Sequence, residues 1–255
     1  MSDVRVLQIT DLHLKKALSS TLLGYDTAVT LEMVLEKALS QWEPDAILVT
    51  GDIAHDEEVE TYHRYLEIMG QYFAGPILSL PGNHDSLASA GSLFEQNIIQ
   101  LRSWQFVSLD SHKDGQTEAE MSTEDLQKLG DRLASYPDKH TIIATHHPPM
   151  AVGCIWLDKH RIKLGDQLVR LLAEFPKVKA VVFGHIHQSI DIGISGLKIM
   201  GTPSTCFQFE PNSEVFSLDT NLPGYRWLEL CDNGEASSDV YRLDSCPYTI
   251  DIFDK

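Results

Sequence analysis

Residue types that bind divalent metals recur at five places along the chain, each time directly after a short apolar run. The five blocks read Asp11-Leu12-His13, Gly51-Asp52, Gly82-Asn83-His84-Asp85, His146-His147 and Gly184-His185-Ile186-His187. Carboxylate, carboxamide and imidazole groups together suit ions of intermediate hardness, such as Mn, Fe and Zn. The candidate ligands outnumber the four that one tetrahedral zinc ion uses, so the set fits two ions that share a bridging carboxylate.

Not every polar residue near these blocks is predicted to bind metal. Asp85 is expected to cap or orient a histidine rather than to bind an ion. The remaining histidines are interpreted as structural or exposed, because a lone histidine is more often a surface or hydrogen-bonded core residue. They are His55, His63, His112, His140 and His160.

Apolar strands that alternate with amphipathic helices must position these blocks. Strands are predicted at residues 4–10, 46–50, 76–80, 102–111, 141–145 and 178–183, and helices at 27–43, 58–73, 122–136 and 166–175. Strands in α/β sheets run mostly parallel, so their carboxyl ends should bring the blocks to one edge. Asp11 and His13 are two residues apart, as are His185 and His187, and in an extended chain both side chains of such a pair point to the same side.

Other local signals refine this arrangement. The helix at 122–136 opens with Ser-Thr-Glu-Asp, a capping-box pattern with Asp in the place of Glu. Glycines at 51, 82 and 184 let the chain turn sharply and bring backbone close to a ligand. Long loops are predicted at 112–121 and 149–165, and such loops in compact domains are often functional.

After residue 187 the pattern changes to short β-type runs. Hairpins are predicted at 189–204 and at 225–243, the second turning at Asp232-Asn233-Gly234. The chain is therefore predicted to be α/β and to end in antiparallel strands. No linker or repeat divides residues 1–255, so a single domain is expected.

Whole-chain properties exclude several classes of protein. The net charge is −17 over 255 residues, which argues against binding to bulk nucleic acid. No apolar run is long enough to cross a membrane, and the N-terminus lacks a signal-peptide pattern, so we expect a cytoplasmic protein without a membrane partner. The four cysteines form no CxxC pair and are expected to be reduced thiols.

The order of the blocks carries a family resemblance. D-x-H, G-D, G-N-H-D, H-H-P-P and G-H-x-H follow one another between residues 11 and 187, which resembles the calcineurin-like metallophosphoesterase superfamily. This resemblance implies an αββα fold, a two-sheet β-sandwich flanked by helices, in which residues 188–255 complete the second sheet with antiparallel strands. It also implies a dinuclear metal site between the strand ends.

The resemblance assigns residues to that site by position. One ion would be held by Asp11, His13, Asp52 and His187, and the other by Asp52, Asn83, His146 and His185, with Asp52 bridging. His84 would face the substrate phosphate as general acid, with Asn83 beside it, and His147 would contact substrate or support the ligands. A hydroxide activated by both metals would attack phosphorus, and a proton from His84 would speed departure of the alkoxide by ~10²–10⁴-fold.

Further stretches resemble one subgroup, the bacterial class III 3′,5′-cyclic-nucleotide phosphodiesterases. They read LDSHKDG (109–115), GTPSTCFQF (201–209) and PGYRWLEL (223–230). The second stretch supplies Thr202, Ser204 and Thr205 as candidates to line the pocket or to bond one another within a polar loop. The subgroup implies hydrolysis of cyclic AMP, and of cyclic GMP as a second substrate, to the 5′-monophosphate. It favours two divalent ions, Fe or Mn, with Zn as the alternative, a small cyclic nucleotide as partner, and a homodimer.

Two alternative functions stay open at this point. The first is a broader phosphodiesterase or phosphomonoesterase acting on other small phosphoesters, because a fold does not choose among substrates. The second is a catalytically silent interaction module, against which the intact ligand set argues.

Overall fold

The computed structural model describes residues 4–254; residues 1–3 and 255, and with them the start of the N-terminal segment, lie outside it. Within that range the helices are α1 Thr27–Gln41, α2 Val59–Tyr72, α3 Leu87–Ala90, α4 Thr123–Ser135 and α5 Gly165–Ala173. The strands of the first half are β1 Val4–Ile9, β2 Ala46–Thr50, β3 Ile77–Leu80, β4 Ile98–Leu101, β5 Trp104–Ser108 and β6 His140–Ala144. Those of the second half are β7 Val178–Phe183, β8 Ile190–Ile194, β9 Leu197–Gly201, β10 Gln208–Phe209, β11 Leu218–Asp219, β12 Gly224–Leu230 and β13 Ala236–Arg242.

The strands form two main sheets and a small ribbon. The five-stranded sheet has the order β13-β12-β1-β2-β3, in which β1, β2 and β3 run parallel. The six-stranded sheet has the order β4-β5-β6-β7-β9-β8, with β5, β6, β7 and β9 parallel. Strands β10 and β11 form a separate antiparallel pair.

Three apolar layers hold the sheets and helices together. Alternate residues of β1, such as Val4 and Val6, point between the sheets and pack against Trp104 and Phe106 of β5. The other faces are covered by helices, with α1 and α2 on the five-stranded sheet and α4 and α5 on the six-stranded sheet. The αββα sandwich predicted from the sequence is thereby confirmed.

The space between the sheets becomes polar towards the carboxyl ends of the strands. Gln8 in β1 donates to Thr50 Oγ1 and accepts from Thr202 Oγ1 at 2.7 Å. Arg226 in β12, fully buried, donates to Thr202 Oγ1, to the Gly201 carbonyl and to Asp191. Because buried polar groups need partners, this network fixes the relative position of the two sheets directly beneath the candidate site.

Most predicted elements are confirmed, with ends that lie within two residues of the predicted ones. The capping box of α4 is present, since Ser122 accepts from the Asp125 N–H and Asp125 accepts from the Ser122 N–H. Both C-terminal hairpins form, as β8–β9 and β12–β13.

Two expectations need correction. The strand predicted at 102–111 is shorter than expected: it is β5, Trp104–Ser108, because Arg102, with a φ of 50°, turns the chain between β4 and β5. The strands of residues 188–254 do not all join one sheet. Strands β8 and β9 join the six-stranded sheet, with β9 parallel to β7, whereas β12 and β13 join the other sheet beside β1. The long connection over 202–223 allows this change of sheet.

Candidate metal centre

The five sequence blocks meet where the two sheets open towards the same end of the sandwich. The blocks at Asp11, Asp52 and Asn83 follow β1, β2 and β3 of one sheet, and those at His146 and His185 follow β6 and β7 of the other. The prediction that the blocks converge is supported, but they approach from opposite sheets rather than along one edge.

The sequence suggested that extended backbone would bring the side chains of the D-x-H and H-x-H pairs to the same side. The backbone of these pairs is not extended. Asp11, His13, His185 and His187 have φ values of 53°, 46°, 65° and 49°, and Asp52 has 50°. All five lie in the left-handed region, which costs a non-glycine residue on the order of 1–2 kcal/mol. Such strain persists at functional sites where the surrounding structure holds it in place.

Hydrogen bonds between the blocks hold this backbone. The Asp11 N–H donates to the Gly51 carbonyl at 3.0 Å, and the His13 N–H donates to the Asp52 carbonyl at 2.9 Å. The His185 N–H donates to both carboxylate oxygens of Asp11 at 3.0 Å. Each block is thus fixed by another block, and the two sheets are joined at the site.

Glycine is required beside these residues because the backbones pass so close. A Cβ on Gly82 would lie 2.2 Å from Asp52 Oδ1, and one on Gly51 would lie 2.3 Å from His146 Nδ1. Gly51 also has a φ of 94°. The predicted close approach of backbone to the site is therefore present.

One cluster consists of Asp11, His13 and His187. The Nε2 atoms of His13 and His187 are 3.2 Å apart, and His187 Nε2 is 3.4 Å from Asp11 Oδ1. His187 Nδ1 donates to the Phe207 carbonyl at 2.8 Å, so its Nε2 carries a lone pair in the neutral ring. Burial lowers the pKa of His13 well below its usual value, although the Asp52 carboxylate opposes this.

A second cluster consists of Asn83, His146 and His185. Asn83 Oδ1 is 3.1 Å from His146 Nε2 and 2.9 Å from His185 Nδ1. His146 Nδ1 donates to the Thr50 carbonyl at 2.8 Å, which directs Nε2 into the site. Burial lowers the pKa of His185 well below its usual value, and the neighbouring His147 and His146 act in the same direction.

Asp52 lies between the two clusters. Its Oδ2 is 3.7 Å from His13 Nε2 and 3.4 Å from His146 Nε2, and its Oδ1 accepts from the His84 N–H at 2.8 Å. Burial lowers the pKa of His146, but Asp52 outweighs it and raises that pKa to about 9. A positive charge is thus favoured between Asp52 and His146.

The donor set fits divalent cations. The ring nitrogens of His13, His146 and His187 converge with carboxylate oxygens, while backbone carbonyls already hold the outer nitrogens of His146 and His187. Backbone carbonyls on the far nitrogen of a ligating histidine are the usual support of a metal site. His13 Nδ1 and His185 Nε2 are buried with no hydrogen-bond partner among the described residues. Ring nitrogens and carboxylate oxygens packed this closely repel one another through their lone pairs, and bound cations would offset that repulsion.

Asp85 supports the site by capping backbone N–H groups, one of the two roles expected for it. It does not orient a histidine. Its carboxylate accepts from the backbone N–H groups of Ile53, Ala54 and Gly82, at 2.8 to 3.1 Å, and from the Tyr62 hydroxyl at 3.1 Å. It therefore ties the loop after β2, which carries Asp52, to the loop after β3.

His84 is placed at the surface of the site, where its ring can meet a substrate. It is half-buried and lies edge-on to His13, with ring centroids 5.0 Å apart. The ring stacks on His55 at 5.4 Å. His55 was expected to be structural or exposed, yet it lines, together with His84, the cavity that opens over the site. Burial and the adjacent His84 lower its pKa to about 4, so the ring is neutral.

His160 was also missed as a residue of the site. It lines the cavity, and its ring is 5.5 Å from that of His185. Two sequence signals could have found these histidines: His55 lies three residues after Asp52, and His160 lies in the long loop predicted at 149–165.

His147 holds a loop rather than pointing into the cavity. Its Nε2 donates to the Thr117 carbonyl at 3.3 Å, and its Nδ1 then accepts from Ser111 Oγ at 2.9 Å. Burial lowers the pKa of His147 well below its usual value, with His146 acting in the same direction. A neutral ring that supports the neighbouring ligands agrees with one of the two roles expected for it.

The polar loop after β9 bonds to itself and to Asp11. Ser204 Oγ donates to the Asp11 carbonyl at 2.8 Å and accepts from the Cys206 N–H. Thr202, Ser204 and Thr205 are fully buried and do not line the cavity. Cys154 and Cys206 are buried thiols, which agrees with the expectation of reduced cysteines.

A cavity of about 340 Å³ opens over the site. Beside the metal-binding residues it is lined by aromatic and apolar side chains. Its size is that of a small-molecule site. A two-sheet α/β sandwich with this centre at its open end defines a metal-dependent hydrolase.

The comparisons with known proteins agree with this class. The chain belongs to the calcineurin-like phosphoesterase family, whose model matches residues 4–189. It is 40% identical, over 94% of this chain and 90% of the relative, to the 3′,5′-cyclic adenosine monophosphate phosphodiesterase CpdA of Escherichia coli K12. The Haemophilus influenzae protein of the same name is 35% identical, over 96% and 92% of the two chains.

A solved structure shows the same fold. The dimetal phosphatase from Danio rerio has a TM-score of 0.59 over 89% of this chain and 95% of that one, at 15% identity, which speaks for the fold alone.

Within residues 4–254, no helix is both long and apolar enough to traverse a lipid bilayer.

Proposed function

We propose that this protein is a metal-dependent phosphodiesterase that hydrolyses 3′,5′-cyclic AMP to 5′-AMP. The observation that carries the proposal is the pair of ligand clusters joined by Asp52 at the base of a cavity that His84 borders. The curated relatives that share more than nine-tenths of the chain support cyclic AMP as the substrate. Cyclic GMP is proposed as a second substrate.

The ligand roles follow from the two clusters. Asp11, His13 and His187 would hold one divalent ion and Asn83, His146 and His185 the other, with Asp52 shared. Fe and Mn are favoured, with Zn as the alternative, because imidazole, carboxylate and carboxamide suit all three. When bound, such ions supply an activated water and positive charge against the phosphoryl oxygens.

His84 is assigned the proton for the leaving oxygen. Its ring borders the cavity, outside both ligand clusters, while its backbone N–H holds Asp52. An alkoxide is a poor leaving group, so a proton donated to the ribose oxygen as the P–O bond breaks lowers the barrier. Asn83, next to it, is assigned a contact with the phosphoryl group as well as with metal.

A substrate panel with defined metals tests the function. Protein loaded with Mn, Fe or Zn should release 5′-AMP from cyclic AMP, and EDTA should abolish the reaction. Cleavage of bis-p-nitrophenyl phosphate without cleavage of cyclic AMP would instead identify a broader phosphodiesterase. Protein that contains no metal and takes up none would be an interaction module.

A single domain over residues 1–255, a cytoplasmic location and a homodimer remain predictions from the sequence.

A further inference from the structure

Beyond the metal-binding residues, one wall of the cavity is aromatic. Trp156, Phe209 and Phe216 contact one another, with ring centroids 5.0 to 5.5 Å apart. Trp156 comes from the loop between β6 and α5, whereas Phe209 and Phe216 come from the β10–β11 ribbon and its connection. None of the three belongs to a ligand cluster.

This aromatic wall begins at the metal centre itself. Phe209 stacks on His187, with centroids 4.2 Å apart and planes at 27°. Trp156 also approaches His160, at 6.4 Å, and His160 approaches His185. The wall therefore adjoins one ligand cluster directly, at His187, and reaches the other through His160, which lies against His185.

Two observations indicate that these aromatic side chains lack contacts that a bound ligand would supply. Phe216 is 54% exposed although it belongs to the cluster, and apolar surface of that kind often marks a binding site. Trp156 Nε1 is buried with no hydrogen-bond partner among the described residues, so ring and apolar contacts hold the indole. A buried indole N–H usually has an acceptor.

We propose that Trp156, Phe209 and Phe216 form the subsite for the purine base of the substrate. This inference rests on the proposed function. A purine is flat and aromatic, so it stacks on such rings. Stacking explains how a cavity with few charged groups away from the metals selects a nucleotide among phosphodiesters.

The test compares two substrates that differ only in the base. Metal-loaded protein is assayed with cyclic AMP and with methyl β-D-ribofuranoside 3′,5′-cyclic phosphate, which keeps the ribose and the cyclic diester but lacks the purine. The wild type should prefer cyclic AMP by roughly tenfold or more in kcat/KM, the range of base–aromatic stacking.

Substitutions then locate the preference. Trp156→Ala and Phe216→Ala should each lower kcat/KM for cyclic AMP by roughly five- to a hundredfold, with less than a twofold change for the base-free ester. Trp156→Phe keeps an aromatic ring and should lose less than Trp156→Ala. Tyr136→Ala removes an aromatic side chain that is 45% exposed at the end of α4, outside the cavity, and should change neither rate.

A binding measurement provides a second readout. Inhibition by 5′-AMP should weaken in Trp156→Ala and Phe216→Ala, whereas inhibition by ribose 5-phosphate should not. Phe216 is exposed enough that its replacement should leave the fold intact, which circular dichroism and metal content verify.

The outcomes separate this inference from the proposed function. Equal losses for both substrates, or a wild type that cleaves them equally well, would overturn the base subsite while leaving cyclic AMP hydrolysis in place. A wild type that cleaves bis-p-nitrophenyl phosphate but not cyclic AMP would overturn the proposed function, and the base subsite with it.

Discussion

At the scale of single residues, hydrogen bonds to backbone carbonyls determine which ring nitrogen of His146 and of His187 points into the site. The Thr50 carbonyl accepts a hydrogen bond from Nδ1–H of His146, and the Phe207 carbonyl accepts one from Nδ1–H of His187. Both rings then present Nε2, unprotonated in the neutral form, to Asp52 or Asp11. The sequence identifies these histidines, but it cannot show which nitrogen faces inward, because the carbonyl partners come from other strands and loops.

The same scale shows why single histidines were harder to assign than the blocks. His55 looks like an isolated histidine in the sequence, and only the fold stacks it on His84. His147, in contrast, lies in a recognisable block, yet its partners Ser111 and Thr117 belong to a distant loop.

His84 offers the sharpest residue-level prediction. We expect His84→Ala to keep its metal, because the ring belongs to neither ligand cluster and the backbone N–H that holds Asp52 remains. Turnover of cyclic AMP should fall by ~10²–10⁴-fold, the usual worth of general acid catalysis. Metal content by plasma mass spectrometry and kcat on the same sample measure both properties.

The control is His63→Ala, which removes an exposed imidazole on α2 and should leave metal and turnover unchanged. Loss of metal from His84→Ala in proportion to the loss of turnover would contradict the role of His84 as proton donor.

At the scale of elements, periodicity and capping signals predicted the helices and the core strands well. Side chains cap the starts of α1 and α4, at Asp26 and at the Ser122–Asp125 capping box, whereas α2 and α5 begin without a side-chain cap. Residues 87–101 carry weaker signals, and α3 and β4 were not predicted there, because each has only four residues. The left-handed backbone after β1, β2 and β7 was also beyond prediction, since Asp and His adopt it only where hydrogen bonds between distant blocks hold it.

The tight turn after β3 leads to an element-level prediction. Gly82→Ala should lose metal and activity, because the added Cβ would lie 2.2 Å from Asp52 Oδ1 and 2.3 Å from the Asp52 nitrogen. Overpacking of this kind costs about 1–3 kcal/mol, and backbone cannot yield as a flexible side chain does. Metal content and the free energy of unfolding in urea report both effects.

A matched glycine exists in α2. Gly70 is exposed, and a Cβ there would meet nothing within 4 Å. Gly70→Ala should therefore stabilise the protein by roughly 0.5–1 kcal/mol, because alanine favours the helix, and should leave metal content unchanged. Normal metal content in Gly82→Ala would show that the loops after β2 and β3 can separate without harm to the site.

At the scale of the whole molecule, the sequence predicted the layers but not how the C-terminal strands divide between the sheets. Hairpin signals place β8–β9 and β12–β13 correctly, but pairing with β7 or with β1 depends on contacts between residues far apart in the chain. Arg226 makes this visible, since it lies in the five-stranded sheet and donates to Asp191 and Gly201 of the other. No local pattern identifies such a partner.

The two-sheet origin of the ligands predicts that metal stabilises the fold as a whole. Asp11, Asp52 and Asn83 follow strands of one sheet, and His146 and His185 follow strands of the other, so bound ions would join the sheets. An ion present at a thousand times its dissociation constant stabilises the folded state by ~4 kcal/mol if it does not bind the unfolded chain. For a domain of this size, chelation with EDTA should then lower the melting temperature by roughly 10 °C.

The variant Asp52→Ala provides the comparison that makes this prediction specific. Removing the shared carboxylate should abolish binding of both ions, so its melting temperature should not respond to EDTA or to added Mn. A wild type that releases its metal without any change in melting temperature would mean that the sheets are held by their apolar interface and the Arg226 network alone. A fall in the wild type that is absent in Asp52→Ala would instead assign part of the stability between the sheets to the ions.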